Sequence, residues 1–292
     1  MNRTALNIGL LLVVAALAAV LYFSKDENKD ATTPLTALKV EDITRLVLER
    51  PDAAPLTLVK QGENWRLETP VQGRADPFEV ASLLNIATQP AYRRLPLAEV
   101  NPAELKLAPP LYTLTINGQK LGFGDIDPLE YRRYVQLGNE VALSDDPPAT
   151  AVDADYSNLV AKELLPLKAG IRSIEVPGLR VTRDADDRNW TASPASELAT
   201  AATAARFVEA WRGARAMWNA VMPADGGKGA AIVITLDDEV IRLHLVAREP
   251  QLLIDNPALK VRYALSKADA EQLLQLVATP PAVAKPAVPS AP

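Results

Sequence analysis

The stretch Asn64-Trp65-Arg66-Leu67-Glu68-Thr69-Pro70 returns in shortened form as Asn189-Trp190-Thr191-Ala192-Ser193-Pro194, and its surroundings return with it. A β-like run opening on isoleucine precedes each copy, at Ile43 and Ile171, and the tripeptide Ala-Leu-Ser follows each, from Ala142 and from Ala264. Trp65 lies 77 positions before Ala142 and Trp190 lies 74 before Ala264, so the spacing is nearly kept. Self-similarity at a long period constrains a fold more than any local pattern, because each copy is one supersecondary unit. Trp65, Pro70, Trp190 and Pro194 are the structural landmarks of this repeat.

A chain of 292 residues has room for two such units, and 48% hydrophobic residues supply both with cores. A net charge of −5 argues against a nucleic-acid binder, which needs a basic face to displace counterions from phosphates. The chain has no cysteine, which excludes disulfides, thiolate metal sites and a cysteine nucleophile. Its single histidine, His244, excludes a multi-histidine metal centre within one chain.

Residues 4–24 carry no charge between Arg3 and Lys25. As a helix they would span about 31 Å, close to the hydrocarbon thickness of a bilayer. Tyr22 and Phe23 stand where interfacial aromatics are expected. Ala16-Leu17-Ala18 resembles a signal-peptide cleavage site, but the apolar run continues through Phe23, which favours an uncleaved anchor. The amino terminus and Arg3 precede the segment, and two lysines among three acids follow it; counted by basic residues, this favours the N-terminus in the cytoplasm and the bulk of the chain in the periplasm of a bacterial inner-membrane protein.

The expected fold class is α+β: an N-terminal transmembrane helix, then two tandem repeats, each an antiparallel sheet with a covering helix. The stub and anchor take residues 1–25, a linker 26–34, the first repeat 35–146, a bridging helix 147–170, the second repeat 171–279, and a disordered Pro/Ala tail 280–292. Hairpins are expected at Asn117-Gly118, Gly138-Asn139, Asp237-Asp238 and Asn256-Pro257. Asp76-Pro77 opens one covering helix, Ser196 is placed to cap the other, and Ser266 with Asp269 forms a capping box for a final helix to Val277. Asn101-Pro102 starts a shorter helical segment.

Asp125 and Asp127 could act as a carboxylate pair, but Asp-Ile-Asp-Pro reads better as a turn. Asp184, Asp186 and Asp187 lack the glycine and glutamate of a calcium loop and read as a solvated turn. His244 falls opposite Leu243 and Leu245 on an alternating strand, hence on its polar face. Trp65 and Trp190 could stack on a sugar; core packing explains both copies with one cause. No phosphate-binding loop, dinucleotide fingerprint, nucleophile elbow or zinc-protease motif is present. No catalytic residue, cofactor or metal is therefore expected. Tyr131-Arg132-Arg133-Tyr134 and Tyr92-Arg93-Arg94 remain as candidate partner-binding residues, since arginine and tyrosine are enriched at interface hot spots; a strand with alternate residues outward is the plainer account.

The strand pair leading into Trp65-x-Leu67-x-x-Pro70, the helix start at Ala75-Asp76, Pro110-x-Tyr112-x-Leu114 with its Asn-Gly turn, Gly124, Tyr134-Val135 and Val141-Ala142-Leu143 together resemble the bacterial domain-of-unknown-function family 4340. The resemblance spans Val40 to Asp146, with the second repeat a diverged continuation. It implies a membrane-anchored, extracytoplasmic protein without assigned catalytic residues, some relatives being associated with ABC-type transporters of the gliding-motility type. One departure stands out: Leu105-Lys106-Leu107-Ala108-Pro109 lacks the glycine of the family's Gly-Leu-x-x-Pro.

The expected function is a non-enzymatic accessory or scaffold to an envelope or ABC-transporter-type complex, with an envelope protein as partner. The alternative is a periplasmic ligand-binding or sensing module with its site between the two repeats.

Overall fold

In a computed structural model the described residues are 33–278, apart from 154, 185, 187 and 188. They form mainly two antiparallel sheets with a few short helices, an α+β arrangement. In chain order come β1 (Thr33–Pro34), β2 (Arg45–Glu49), β3 (Leu56–Gln61), β4 (Asn64–Thr69), β5 (Gly73–Arg74), α1 (Pro77–Ile86), β6 (Pro90–Pro96), β7 (Tyr112–Ile116), β8 (Gln119–Ile126), β9 (Arg133–Leu137) and β10 (Glu140–Ser144). Two single-turn helices follow, α2 (Ala149–Val152) and α3 (Tyr156–Leu159). Then come β11 (Ile171–Val176), β12 (Leu179–Arg183), β13 (Trp190–Ser193), α4 (Ala201–Arg212), β14 (Trp218–Val221), β15 (Ala230–Leu236), β16 (Val240–Ala247), β17 (Leu252–Asn256), β18 (Val261–Leu265) and α5 (Lys267–Leu274).

The described residues divide into two compact units: 33–54 with 82–148, and 55–81 with 149–278. In the first unit the strands lie in the order β1-β6-β10-β9-β8-β7-β2. Strand alternation sends Leu46 and Leu48 of β2 inward, where they join Leu114, Leu121, Phe123, Val135 and Ala142 on one face of the sheet, closed to solvent. Tyr112 stacks on Phe123 with ring centroids 4.6 Å apart. Lys106, in the stretch where the resemblance expects glycine, has φ +57°, the left-handed region that glycine favours.

In the second unit the sheet order is β13-β12-β11-β15-β16-β17-β18-β14. The helix α4 packs on β13 and α5, and Trp211, fully buried, donates its indole N–H to Leu273 O at 2.9 Å. The hairpin β3–β4 with β5 belongs here because its backbone is tied to the α3 region. Asp76 N–H donates to Leu159 O (2.8 Å), Ala161 N–H to Arg74 O (2.9 Å), and Ala75 bridges Val160.

The six strands β6-β10-β9-β8-β7-β2 find counterparts, in the same order, in β14-β18-β17-β16-β15-β11. In both series the hairpin strands (β3–β4, β12–β13) and then the helix (α1, α4) intervene after the first strand. The landmark prolines Pro70 and Pro194 both follow cis peptide bonds. Four local expectations are corrected. The bridging helix over 147–170 is instead α2 and α3 followed by extended chain, because Asp155 caps a new turn and Val160 is drawn into pairing with Ala75. Thr200, not Ser196, caps α4, because Thr203 completes a reciprocal capping box with it. Asn101 caps a turn rather than a helix, accepting from Ala103 N–H at 3.2 Å. Thr33 and Pro34, expected in the linker, pair with β6. The anchor at residues 4–24, the rest of the linker and the tail at 280–292 lie outside the described residues; within these, no helix is long and apolar enough to cross a membrane.

Asp76 is closed to solvent. One carboxylate oxygen caps α1, accepting from Phe78 N–H (2.9 Å) and Glu79 N–H (3.4 Å). The other meets Lys162 Nζ at 3.2 Å and Arg215 Nη2 at 3.7 Å. Removing it leaves a helix end without its acceptor and takes one of two carboxylates from each cation, Lys162 keeping Glu79 at 3.5 Å and Arg215 keeping Glu163. Both cations reach solvent, which moderates the loss. Asp76→Ala is expected to cost about 2–3 kcal/mol and Asp76→Asn about 1 kcal/mol less, read by urea unfolding.

Candidate functional site

The two basic-aromatic stretches that are separate in sequence meet on one sheet. β10 lies between β6 and β9, so Leu143 is opposite Arg93 on one side and Tyr134 on the other. Their arginines are held by neighbouring acids. Arg132 pairs with Asp145 and lies over the Tyr92 ring, 3.7 Å from its centroid. Arg133 pairs with Asp146 and donates to Gly124 O at 2.5 Å. Arg94 reaches Glu140 at 3.1 Å and the carbonyls of Pro34 and Leu35, while Arg93 meets Glu130 at 3.3 Å.

These ties frame the turn between β8 and β9. Asp127 accepts from the N–H groups of Leu129 (3.0 Å) and Glu130 (2.8 Å), and the Tyr134 hydroxyl donates to its other oxygen. The Tyr134 bond and the Glu130 N–H hold the Asp127 carboxyl below the usual aspartate range. Burial, then the bond to Asp127, pushes the Tyr134 phenol up to about 12. Tyr131 N–H closes the turn on Asp127 O at 2.9 Å. What projects is apolar: Leu129 is 86% exposed and Tyr131 79% exposed. Tyr131 also has φ +56°, a conformation that costs a bulky residue roughly 1 kcal/mol or more.

A second feature, not foreseen in the sequence, is a cleft of about 690 Å³ within the second unit. β17 pairs with β16 only from His244 onward, so among the described residues Val240–Arg242 have no strand partner on that side. The chain turns there through Asn256–Lys260, with Asn256 Oδ1 accepting from Ala258 and Leu259 N–H at 3.1 and 3.2 Å. Arg66 and Arg74, from β4 and β5, line the cleft together with Arg242 of β16. Arg66 and Arg74 are direct cross-strand partners and therefore share a face. Arg74 Nη2 donates to Glu163 O at 2.8 Å, and its guanidinium pKa is lowered, first by burial and also by the charge of Arg66. Among the described residues, the side chains of Arg66 and Arg242 have no hydrogen bond or ion pair. Tyr263, whose phenol burial pushes up to about 12, lines the same cleft as a hydroxyl donor.

His244 stands half-buried between the buried Leu243 and Leu245, and its Nδ1 is shielded without a hydrogen-bond partner. Asp125 accepts from Ile126 N–H (2.9 Å) and, like Asp127, belongs to the turn. Asp184 accepts from Asn189 N–H at 3.1 Å, closing its loop; Asp187 lies outside the described residues. Trp65 and Trp190 are both half-buried at corresponding places, the adjacent core position being Leu67. Comparison with protein families, with curated proteins and with solved structures gave no match.

The wall of the cleft is fixed by Asp255, buried on β17, which accepts from Arg262 Nε (2.7 Å), Arg262 Nη2 (3.0 Å) and Gly227 N–H (2.9 Å). Burial pushes its carboxyl up, but Arg262 and the Gly227 N–H together pull it below the usual value. The folded chain thus binds this proton less readily than the unfolded one. Its contribution is fully present above the ordinary aspartate pKa and is lost as pH falls through the lowered one. Asp255→Asn is expected to lower stability at pH ~7 and to flatten its decline between pH ~5 and ~2, measured by urea unfolding across that range.

Proposed function

We propose that the chain is a single-pass bacterial inner-membrane protein, anchored through residues 4–24 with its N-terminus cytoplasmic. Its two α+β repeats, 35–146 and 171–279, related by tandem duplication, face the periplasm and serve an envelope or ABC-transporter-type complex as a non-enzymatic accessory. The uncharged N-terminal run supports the anchor, and the shared succession of strands and helix supports the duplication. The resemblance of Val40–Asp146 to family 4340 points the same way.

The observation that carries the accessory reading is the projecting turn of the first unit. Leu129 and Tyr131 stand in solvent on a turn held by Asp127, Tyr134 and the Arg93–Glu130 pair. An isolated exposed apolar side chain is ordinary; two on one braced turn, one of them in a left-handed backbone, form a presented contact. In this reading Arg93, Arg94, Arg132, Arg133 and Tyr134 brace the contact and Tyr131 makes it. A second reading, an extracytoplasmic ligand-binding module, is favoured by the cleft of the second unit.

Affinity purification of the full-length chain from crosslinked membranes tests the accessory reading. The double variant Leu129→Ser, Tyr131→Ser is expected to lose the co-purified envelope protein while folding normally. Tyr131→Gly is expected to gain about 0.5–1 kcal/mol of stability, by relieving the left-handed backbone, and still lose the partner. Undiminished recovery with both variants would remove the turn from the interface.

A further inference from the structure

The cleft of the second unit sets like charges against one another. On antiparallel strands directly opposite residues have their side chains on one face, and like charges placed so repel. Arg66 and Arg74 occupy such a pair, and Arg242 enters the same space from β16. Among the described residues no carboxylate lies within ion-pairing distance of Arg66 or Arg242, and the Arg74 side chain donates to a backbone carbonyl. Glu239 lines the rim, and it and Glu163 act on Arg74 only at longer range. In the first unit, by contrast, each arginine of the predicted basic stretches has an acid beside it. In a chain of net charge −5, three guanidinium groups around one cleft, none of them in an ion pair among the described residues, are a specific arrangement.

The rest of the lining is not that of an ion site alone. Leu164, Ile241 and Leu259 face the same space, and Tyr263 adds a hydroxyl donor. The volume, about 690 Å³, is in the range of small-molecule sites. Guanidinium groups match the two oxygens of carboxylate or phosphate.

We infer that this cleft binds an amphiphilic organic anion, with its carboxylate or phosphate held by Arg66, Arg74 and Arg242 and its apolar part lying on Leu164, Ile241 and Leu259. The inference rests on reading the cleft as a ligand site and is independent of the projecting turn of the first unit. The same oxyanion chemistry is offered by a lipid headgroup in the bilayer and by a free metabolite.

The test is calorimetric titration of the full-length chain in phosphatidylcholine nanodiscs with hexyl phosphate, hexanoate, inorganic phosphate and hexanol at constant ionic strength. Saturable binding of hexyl phosphate or hexanoate is expected, with inorganic phosphate about tenfold weaker or more and hexanol silent. Arg66→Gln and Arg242→Gln should each weaken binding about tenfold or more. The melting temperature of each variant without ligand should be unchanged or raised, since a like-charge contact has gone; a merely structural arginine would lower it. Repeating the titration in phosphatidylglycerol nanodiscs separates the sources: weaker apparent binding identifies a bilayer lipid as the occupant, unchanged binding a free anion. Absence of saturable binding by either organic anion, equal binding of hexanol, or variants with unaltered affinity would overturn the inference. Partner recovery through Leu129 and Tyr131 would stand in that case.

Discussion

The second unit is organised around the carboxylate of Asp76. It is excluded from water, so each of its lone pairs needs a partner, and the partners come from distant parts of the chain. Its own helix supplies two N–H groups, Lys162 an ammonium and Arg215 a guanidinium. Arg215 in turn pairs with Glu163, whose backbone carbonyl accepts from Arg74. One buried charge thereby fixes the start of α1, the extended strap at Val160–Leu164 and the hairpin β3–β4. The neighbouring backbone bonds of Arg74 and Asp76 to Ala161 and Leu159 make that placement a zipper rather than a single bond. This accounts for a unit whose first residues, Pro55–Ala81, are so far in sequence from the rest of it.

Much of this was legible where the information is local. Asn117-Gly118, Gly138-Asn139 and Asp237-Asp238 do form the turns of β7–β8, β9–β10 and β15–β16, because turn chemistry is settled within a few residues. Asp76-Pro77 and Ser266 with Asp269 do open helices for the same reason. What failed also failed locally: Ser196 and Thr200 are both acceptable caps, and only the reciprocal bond from Thr203 decides between them. The strap from Ala149 has helical periodicity, but its backbone groups are claimed by the hairpin and by Ala214 and Arg215. Tertiary pairing overrode propensity there. The edge strand β14 is short and carries no alternation strong enough to announce itself.

The sites show the same division. The tyrosines and arginines at 92–94 and 131–134 could be singled out by type, and strand order does bring them together. Their acid partners could not be foreseen, since Asp145 and Asp146 become partners only when β9 and β10 align. Pairing turned an apparent basic patch into a neutral frame. The cleft was illegible for the opposite reason: Arg66, Arg74 and Arg242 are unremarkable surface arginines in sequence. Only the Arg66–Arg74 register and the departure of β17 from β16 put them in one place.

Sequences that fold well satisfy local preferences almost everywhere, so the places where they do not carry information. Two such places stand out, one in each unit. A tyrosine holds a left-handed backbone at a turn that glycine or asparagine would take without strain. Two arginines face each other across a strand pair where any neutral or acidic partner would be more stable. Neither is offset by a contact within its own unit: Tyr131 points to solvent, and Arg66 has no acceptor among the described residues. A local cost without a local return is what a binding surface looks like before its ligand arrives, because the return is collected on binding. The two costs differ in kind, one steric with an apolar exposed group and one electrostatic in a half-buried cleft. They therefore ask for different occupants: a protein surface at the turn, an organic anion in the cleft.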